Sequence, residues 1–314
     1  MNIFQEEISS HFSKSYRDIF RYALSASRRY KSYTIPKRTG GSRDIVQPSK
    51  ELKEYQRYIV STLFNKLPVH YAVYSYQKEK NIKQMATKHI NARFLLRIDF
   101  KEFFPSIKGE HIRSFLKSNV DYLETSINDY DLTLINLLVC KSNKLTIGAP
   151  SSPVISNTIL YELDNFLFDK CNVEGIVYTR YADDLYFSTI HPNKLKTILP
   201  LLKQYLKTFF IRLVINEDKN IYTSKKRRQQ ITGLTLTTDK KLSVGRKKKR
   251  YIKSLIYKYS QQNIVPEEIN YLKGYMSYLY SIEPDYIEKL RKKYSSELVG
   301  ELLPLRHKEE NDEE

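Results

Sequence analysis

Asp183 and Asp184 stand side by side between two β-rich, apolar runs, IVYTRY (176–181) and LYFST (185–189). That spacing predicts a hairpin with the acidic pair at its tip. Adjacent carboxylates repel, so burying both is costly without a cation. Hard divalent cations such as Mg²⁺, with Mn²⁺ an alternative, take oxygen ligands, often one or two carboxylates together with substrate phosphates. In an extended chain neighbouring side chains point to opposite faces, so a further carboxylate should come from another strand. Asp99, closing the apolar run RFLLRID (93–99), is the candidate. Two ions about 3.5–4 Å apart on such a set would activate an attacking hydroxyl and stabilise a leaving pyrophosphate. The bland alternative is that an Asp-Asp pair is ordinary turn chemistry.

The elements that must position these residues are legible in outline. The first 30 residues read as helical. YTIPKRTGGSRDIVQP (33–48) reads as two short strands about a Gly40-Gly41 turn. A helix is expected over 51–67, with Leu52, Tyr55, Ile59, Leu63 and Leu67 on one stripe. Pro153 suits the first turn of a helix running to about Lys170. An amphipathic helix is expected over 193–210, and short strands near 212–215, 220–223 and 231–236. From Arg246 three helices are expected, separated near Pro266 and Pro284. Hairpins and helices alternate irregularly, which predicts an α+β fold.

Composition narrows the partners. Of 314 residues, 53 are Lys or Arg and 35 are Asp or Glu, a net charge of +18. Between Lys219 and Lys253 there are 13 basic residues and one acid, Asp239. Such an excess favours a polyanion, most simply nucleic acid. The 26 tyrosines could stack on bases or simply fill core and surface. Cys140 and Cys171 are too few for a disulfide scaffold and lack zinc-site spacing, which points to a reducing compartment, the cytoplasm. No apolar run approaches the roughly 20 residues that span a bilayer, and the charged N-terminal segment has no signal-peptide core, so neither membrane insertion nor secretion is expected.

The motifs, taken in order, resemble those of bacterial retron-type reverse transcriptases. Tyr181-Ala182-Asp183-Asp184 is similar to the family's YxDD box, and RIDFKEFFPSI (97–107) to its first carboxylate motif. LTIGAPSSPVISN (145–157) resembles the motif that packs against incoming nucleotide and template. INEDKN (215–220) resembles the loop carrying a family lysine, here Lys219, and GGSRDIVQPSKELKEYQ (40–56) resembles the fingers segment. ITGL (231–234) is similar to the family's VTGL signature and YLKGYMSYLYSI (271–282) to its thumb. There are two departures. Met85-Ala86-Thr87-Lys88-His89 lacks the Asn of the NAxxH box, and Ile147 and Thr146 stand where the nucleotide motif often has Gln and Pro.

The resemblance implies a right-hand polymerase with an antiparallel palm sheet: fingers and palm over 1–238, a basic helical thumb over 239–298, and an acidic tail over 299–314, expected to be disordered. It implies Asp99, Asp183 and Asp184 as catalytic residues and metal ligands, with the Phe100 backbone oxygen, for two Mg²⁺ ions. Phe104 would be the steric gate under the sugar of a dNTP, although a Phe there could equally be core. Arg43, Lys37 and Lys219 would meet the triphosphate, or be surface charges. Gly148 and Ala149 would let backbone approach the nucleotide, or serve a helix-capping turn. Lys225, Lys226, Arg227 and Arg228, with Arg246, Lys247, Lys248, Lys249 and Arg250, would bind nucleic acid, although a charge run is usually a solvated face.

The implied reaction is RNA-directed DNA synthesis primed from an internal guanosine 2′-OH of a cognate structured non-coding RNA. Its product is the branched hybrid msDNA. The implied setting is anti-phage defence beside a separately encoded effector protein. About 16 residues follow the thumb, so template removal is expected to fall to a host RNase H. A reverse transcriptase of the group II intron or diversity-generating type, or a scaffold with a vestigial polymerase, are the other readings.

Overall fold

The computed structural model describes residues 2–36 and 40–303. Its helices and strands run in the order α1 (Ile3–Phe12), α2 (Tyr16–Leu24), β1 (Tyr30–Pro36), β2 (Ser42–Pro48), α3 (Lys50–Thr62), α4 (Ile82–Lys88), β3 (Phe94–Lys101), α5 (Phe103–Ser106), α6 (Gly109–Ser118) and α7 (Asp129–Val139). They continue with α8 (Ser151–Ile159), α9 (Tyr161–Val173), β4 (Val177–Tyr181), β5 (Asp184–Thr189), α10 (Ile198–Leu206), β6 (Val214–Ile215), β7 (Ile221–Ser224), β8 (Gln229–Ile231), β9 (Leu234–Leu236), β10 (Leu242–Ser243), α11 (Arg246–Ser260), α12 (Pro266–Ile282), α13 (Pro284–Tyr294) and α14 (Ser296–Leu302). By packing, the described residues form two units, those within 1–81 and 93–222, and those within 82–92 and 223–303.

The first unit is built on an antiparallel sheet of order β4-β5-β3-β6, with β7 also paired to β3. Its strands are apolar because one face is sealed by helices: Leu185 and Phe187 of β5 are buried with Ile155 and Leu163 from α8 and α9. Helix α3 starts where Ser49 accepts the Leu52 N–H at 3.3 Å. The expected stripe of Leu52, Tyr55 and Ile59 faces the core. A separate hairpin pairs β1 with β2 in register, Ile35 opposite Arg43.

The second unit holds a small antiparallel sheet, order β10-β9-β8, against which α4 packs, and the helices α11–α14. Ile252, Leu255, Leu272, Met276, Leu279, Ile287 and Leu290 are buried within it. Pro266 and Pro284 each begin a helix, as their missing N–H allows. Residues 299–302, expected to open the disordered tail, instead end helix α14, with Val299, Leu302 and Leu303 buried; residues 304–314 lie outside the described residues.

Four expected helices differ from those found. The helix expected over 51–67 ends at Thr62, followed by a separate 3-10 turn over Phe64–Lys66. The segment before residue 30 is two capped helices and a turn, with Asn2 and Ser15 as N-caps, and strand β1 already begins at Tyr30. The helix from Pro153 is two, broken at Leu160, where the Thr158 hydroxyl bonds back to the Val154 and Ile155 carbonyls and bends the chain. The helix expected from 193 becomes regular only at Ile198, because Pro200 has no N–H for a preceding turn. Helices α4, α5, α6 and α7 are additions to the expected set, and four helices, not three, follow Arg246, the fourth being α14. Both cysteines are free and buried.

Candidate active site

Strand register brings the three carboxylates together. Asp99 in β3 lies directly across from Asp184, the first residue of β5. Asp184 also pairs with Tyr181 of β4, which leaves Ala182 and Asp183 as a two-residue connection. Asp183 sits in this connection and not in a strand, so strand alternation does not turn it away from its neighbour. One oxygen from each of Asp99, Asp183 and Asp184 lies within 4.8 Å of the others. Asp99 is buried and the other two are partly so.

The connection is held from beneath. Ala182 has φ 55°, a left-handed conformation that costs a non-glycine residue about 1–2 kcal/mol. Its N–H donates to Ser75 Oγ at 2.8 Å, and its carbonyl accepts from Arg180 at 3.2 Å. Arg180 is wholly buried and donates to both oxygens of the buried Asp164, at 2.7 and 2.6 Å, and to Asn157 Oδ1 at 3.2 Å. Tyr178 donates to Asp164 at 2.7 Å, and the Asn157 amide donates to the Ser75 carbonyl at 2.8 Å. The strained turn that carries Asp183 is thus clamped on both its polar groups by one buried network.

The cluster is short of positive charge. Arg97, two residues before Asp99 on the same strand face, donates to Asp184 Oδ1 through Nε at 2.9 Å and its terminal nitrogen at 2.8 Å. Lys219 Nζ reaches Asp99 Oδ2 at 2.9 Å, and the Asn216 amide reaches the same oxygen at 3.1 Å. Even so, burial pushes the Asp184 carboxyl up to about 6 against the pull of Arg97, with Asp183 and Asp99 adding to the rise. Burial, and then Asp99, raise Asp183, while Lys219 and Arg43 oppose the rise. A site that raises its own carboxylates this way is one that a cation would relieve, so the donor set fits a divalent metal.

Tyr76, whose hydroxyl pKa is raised by burial and then by the nearby Tyr181 and Asp183, lines a cavity of about 340 Å³ together with Phe104, Lys53, Arg57, and residues 146–150, 152 and 153. Phe104, on the one-turn helix α5 that follows β3, is half-buried at its wall. Gly148 has φ 111°, and a Cβ there would come within 3.0 Å of Ile45 and 3.3 Å of the Val46 carbonyl. The loop runs that close because Val46 N–H donates to the Ile147 carbonyl at 2.8 Å. Close approach to β2 therefore already requires a glycine at this position. Ala149 is buried. Thr146 is 8% exposed, and its hydroxyl has no hydrogen-bond partner among the described residues. Arg43 is exposed on β2, near enough for its charge to lower Asp183. Lys37 lies outside the described residues.

Residues 35–266 match the family model described as reverse transcriptase (RNA-dependent DNA polymerase). Over 304 residues the chain is 37% identical to the Retron Ec83 reverse transcriptase of Escherichia coli, covering 93% of this chain and 96% of that protein. The chain belongs to the retron reverse transcriptases. It is also 33% identical over 278 residues to the Retron Ec73 reverse transcriptase of Escherichia coli, covering 85% and 88% of the two. Among solved structures, a Candida albicans telomerase in complex with a fragment of telomeric RNA is a remote likeness, with a TM-score of 0.45 and 14% identity over 95% of this chain and 65% of that one.

As a retron reverse transcriptase the chain is an RNA-directed DNA polymerase of right-hand fold, an α+β architecture with antiparallel sheets. No helix among the described residues is long and apolar enough to cross a membrane. The structure separates the candidate residues into groups. Asp99, Asp183, Asp184 and Lys219 meet in the first unit, with Phe100 adjoining: its N–H donates to the Asp183 carbonyl at 3.3 Å. Phe104, Gly148 and Ala149 line the cavity. Lys225, Lys226, Arg227 and Arg228 occupy the β7–β8 connection, and Arg228 donates to Thr235 Oγ1 at 3.2 Å. Arg246, Lys247, Lys248, Lys249 and Arg250 form the first turn and more of α11. Of these, Lys249 is ion-paired with Glu283.

Sequence reasoning missed Arg97, Asn216, Thr146 and the Arg180–Asp164 network. Arg97 had a signal, its i, i+2 spacing from Asp99, and Asn216 had one, its place three residues before Lys219. Asp164 sits mid-helix among ordinary polar residues and had none. The Met85–His89 segment lies in α4 and the turn after it, with Met85 and His89 fully buried in the second unit.

Proposed function

We propose that this polymerase copies part of a structured non-coding RNA into DNA, starting from an internal guanosine 2′-OH, so that the product is branched msDNA. The reading rests on membership of the retron family and on one observation: three carboxylates on paired strands and their turn, within 4.8 Å of one another, together with a cavity walled by Phe104. In this reading Asp99 and Asp183, with the Phe100 carbonyl, hold Mg²⁺, two ions in all, or Mn²⁺ in its place. Bound there, the metal supplies a Lewis acid for the α-phosphate and the attacking hydroxyl.

The chain's own residues do the rest. Asp184, neutralised by Arg97, completes the cluster and keeps its geometry. Lys219, held at Asp99, places a cation where charge builds on the leaving pyrophosphate, as general acid or as countercharge. Arg43 brings a planar donor to the triphosphate, and Lys37 adds a second cation for the triphosphate. The Phe104 ring lies under the sugar and excludes a 2′-OH. Thr146 offers its free hydroxyl where Ile147 has none, and Gly148 and Ala149 let the backbone pass close. Holding these groups in place is itself the main catalytic device, since phosphoryl transfer gains chiefly from positioning and charge.

The basic residues at 225–228 and 246–250 hold the cognate RNA and the growing hybrid. A host RNase H removes template. The product serves in anti-phage defence with a separately encoded effector.

The test is to express the chain with its upstream locus, purify it, and sequence the nucleic acid it carries. A short DNA whose mobility shifts on debranching, absent with Asp183→Ala, is expected. DNA without a branch would overturn 2′-OH priming and leave reverse transcription standing. At the sugar, Phe104→Ala is expected to admit ribonucleotides; unchanged discrimination would remove Phe104 from that role.

A further inference from the structure

Helix α12 carries two stripes. Leu272, Met276 and Leu279 face the core of the second unit and are buried. One residue round the helix, Tyr271, Tyr275 and Tyr278 form a second stripe at the edge of that core, Tyr271 exposed and Tyr275 and Tyr278 half-buried. Tyr251 of α11 joins it, giving a run of rings: Tyr251 to Tyr271 at 6.0 Å, Tyr271 to Tyr275 at 5.9 Å, and Tyr275 to Tyr278 at 5.5 Å between centroids. Tyr251 is 45% and Tyr271 40% exposed. Lys248 lies in their midst. Its Nζ is 5.5, 5.3 and 4.9 Å from the centres of Tyr251, Tyr271 and Tyr275, and it donates to the Tyr271 hydroxyl at 2.6 Å.

The surroundings are strongly cationic. Arg246, Lys247 and Arg250 are exposed in the same opening turns of α11, with no acid in the first turn. A helix N-terminus already carries partial positive charge, so cations there are disfavoured unless an anion is met. Cation–π contacts at an exposed site are worth only about 0.5–1 kcal/mol each, which does not account for four tyrosine rings in a row, two of them exposed and two half-buried. Aromatic faces among phosphate-binding cations are the usual composition of a surface that takes single strands, because every unpaired base offers a π-face. A duplex hides those faces and presents phosphates and 2′-hydroxyls instead.

We infer that Tyr251, Tyr271, Tyr275 and Tyr278 with Lys248 form a platform for unpaired bases, with Arg246, Lys247 and Arg250 taking the backbone phosphates. The ligand class is an unpaired stretch of nucleic acid, either a single-stranded part of the RNA or the DNA copied from it. This rests on the proposed nucleic-acid role of the basic run and adds to it a preference for unpaired strands. Lys248 is released from its rings to a phosphate when a base takes its place.

The experiment uses the full chain freed of nucleic acid, and anisotropy of labelled oligonucleotides of about 12 nucleotides, near the upper part of the range for single-strand sites. An unstructured RNA, the same sequence as DNA, and an RNA hairpin of matched charge are compared. Tyr275→Ala is expected to weaken the unstructured strands about 10-fold and the hairpin less than about 2-fold, in line with the value of one stacked base. Tyr275→Phe, which keeps the ring, is expected to bind as the parent does, which separates stacking from damage to the fold. A loss confined to RNA assigns the platform to the RNA partner, and one confined to DNA assigns it to the product; both uphold base stacking. No loss, or an equal loss on hairpin and single strand, overturns the platform. In either event the combined Arg246→Gln, Lys247→Gln and Arg250→Gln variant tells the two readings apart. If it weakens all three ligands the basic run still binds nucleic acid, and if it weakens none that reading falls as well.

Discussion

Two regions concentrate like charge, and they do so in opposite ways. The Asp99–Asp183–Asp184 cluster gathers anions in a partly buried pocket, where desolvation and mutual repulsion raise two of the three carboxyls, and it meets them with Arg97, Lys219 and Asn216. The turn of α11 gathers cations at the surface, where water screens them and only Lys248 and Lys249 are tied down. Buried charge demands defined geometry, so the first region is clamped by strand register and a hydrogen-bonded turn. Exposed charge does not. The lesson is that position matters most in the pocket, while number and sign matter most on the helix.

The sharpest way to break that contrast is at the pocket. Asp183→Asn should lower nucleotide incorporation by on the order of 10³-fold, several kcal/mol of transition-state charge stabilisation, in single-nucleotide extension, without loss of fold by circular dichroism. A change of only a few fold would remove Asp183 from the chemistry. Next comes the clamp. Asp164→Ala leaves Arg180 charged and unpaired in the core and should cost about 3–5 kcal/mol in chemical denaturation. Replacing both, as Arg180→Met with Asp164→Leu, should recover most of that stability while activity stays low, because the Ala182 carbonyl has lost its donor. Full activity in the double variant would show that the network supports the fold and not the turn.

Two smaller effects sharpen the comparison. Thr146→Val removes an unpartnered buried hydroxyl, so it should stabilise the unliganded protein by about 1 kcal/mol while raising the KM for dNTP several fold, measured by steady-state extension. If both move the same way, the hydroxyl does not meet the nucleotide. His89 of the second unit is wholly buried and its imidazole is pushed down to about 3 by desolvation. Its folded pKa lies below its unfolded value of about 6.5, so the unfolded chain takes up the proton first. Stability is then full above about pH 6.5 and falls as pH drops toward 3, by up to about 1.4 kcal/mol per pH unit from this residue. His89→Phe should flatten that slope in denaturation series, and an unchanged slope would place the proton uptake elsewhere.

Much of the site was legible in the order of residues alone. An Asp-Asp pair alone reads equally as turn chemistry; Asp183, Asp184 and Asp99 stand out because they sit in motifs that resemble the family's, and Lys219 and Phe104 are placed by the same motifs. Other features could not be read. The break at Leu160 comes from a side chain bonding back to its own helix, which a periodic pattern does not register. Gly148 could be read as room for a ligand, yet its φ and its contact with β2 give a second reason for the glycine.

What the chain determined by itself is the chemistry available: three carboxylates, a basic helix, many tyrosines, and hairpins and helices in an irregular order that fits an α+β fold. Those are properties of residue type and short-range spacing. Only the tertiary structure decided which groups meet. Arg97 and Asp184 are 87 residues apart, Lys219 and Asp99 are 120 apart, and Ser75 reaches Ala182 across 107. Contacts at such separations depend on strand register and core packing, and both are set by how the whole chain buries its apolar surface.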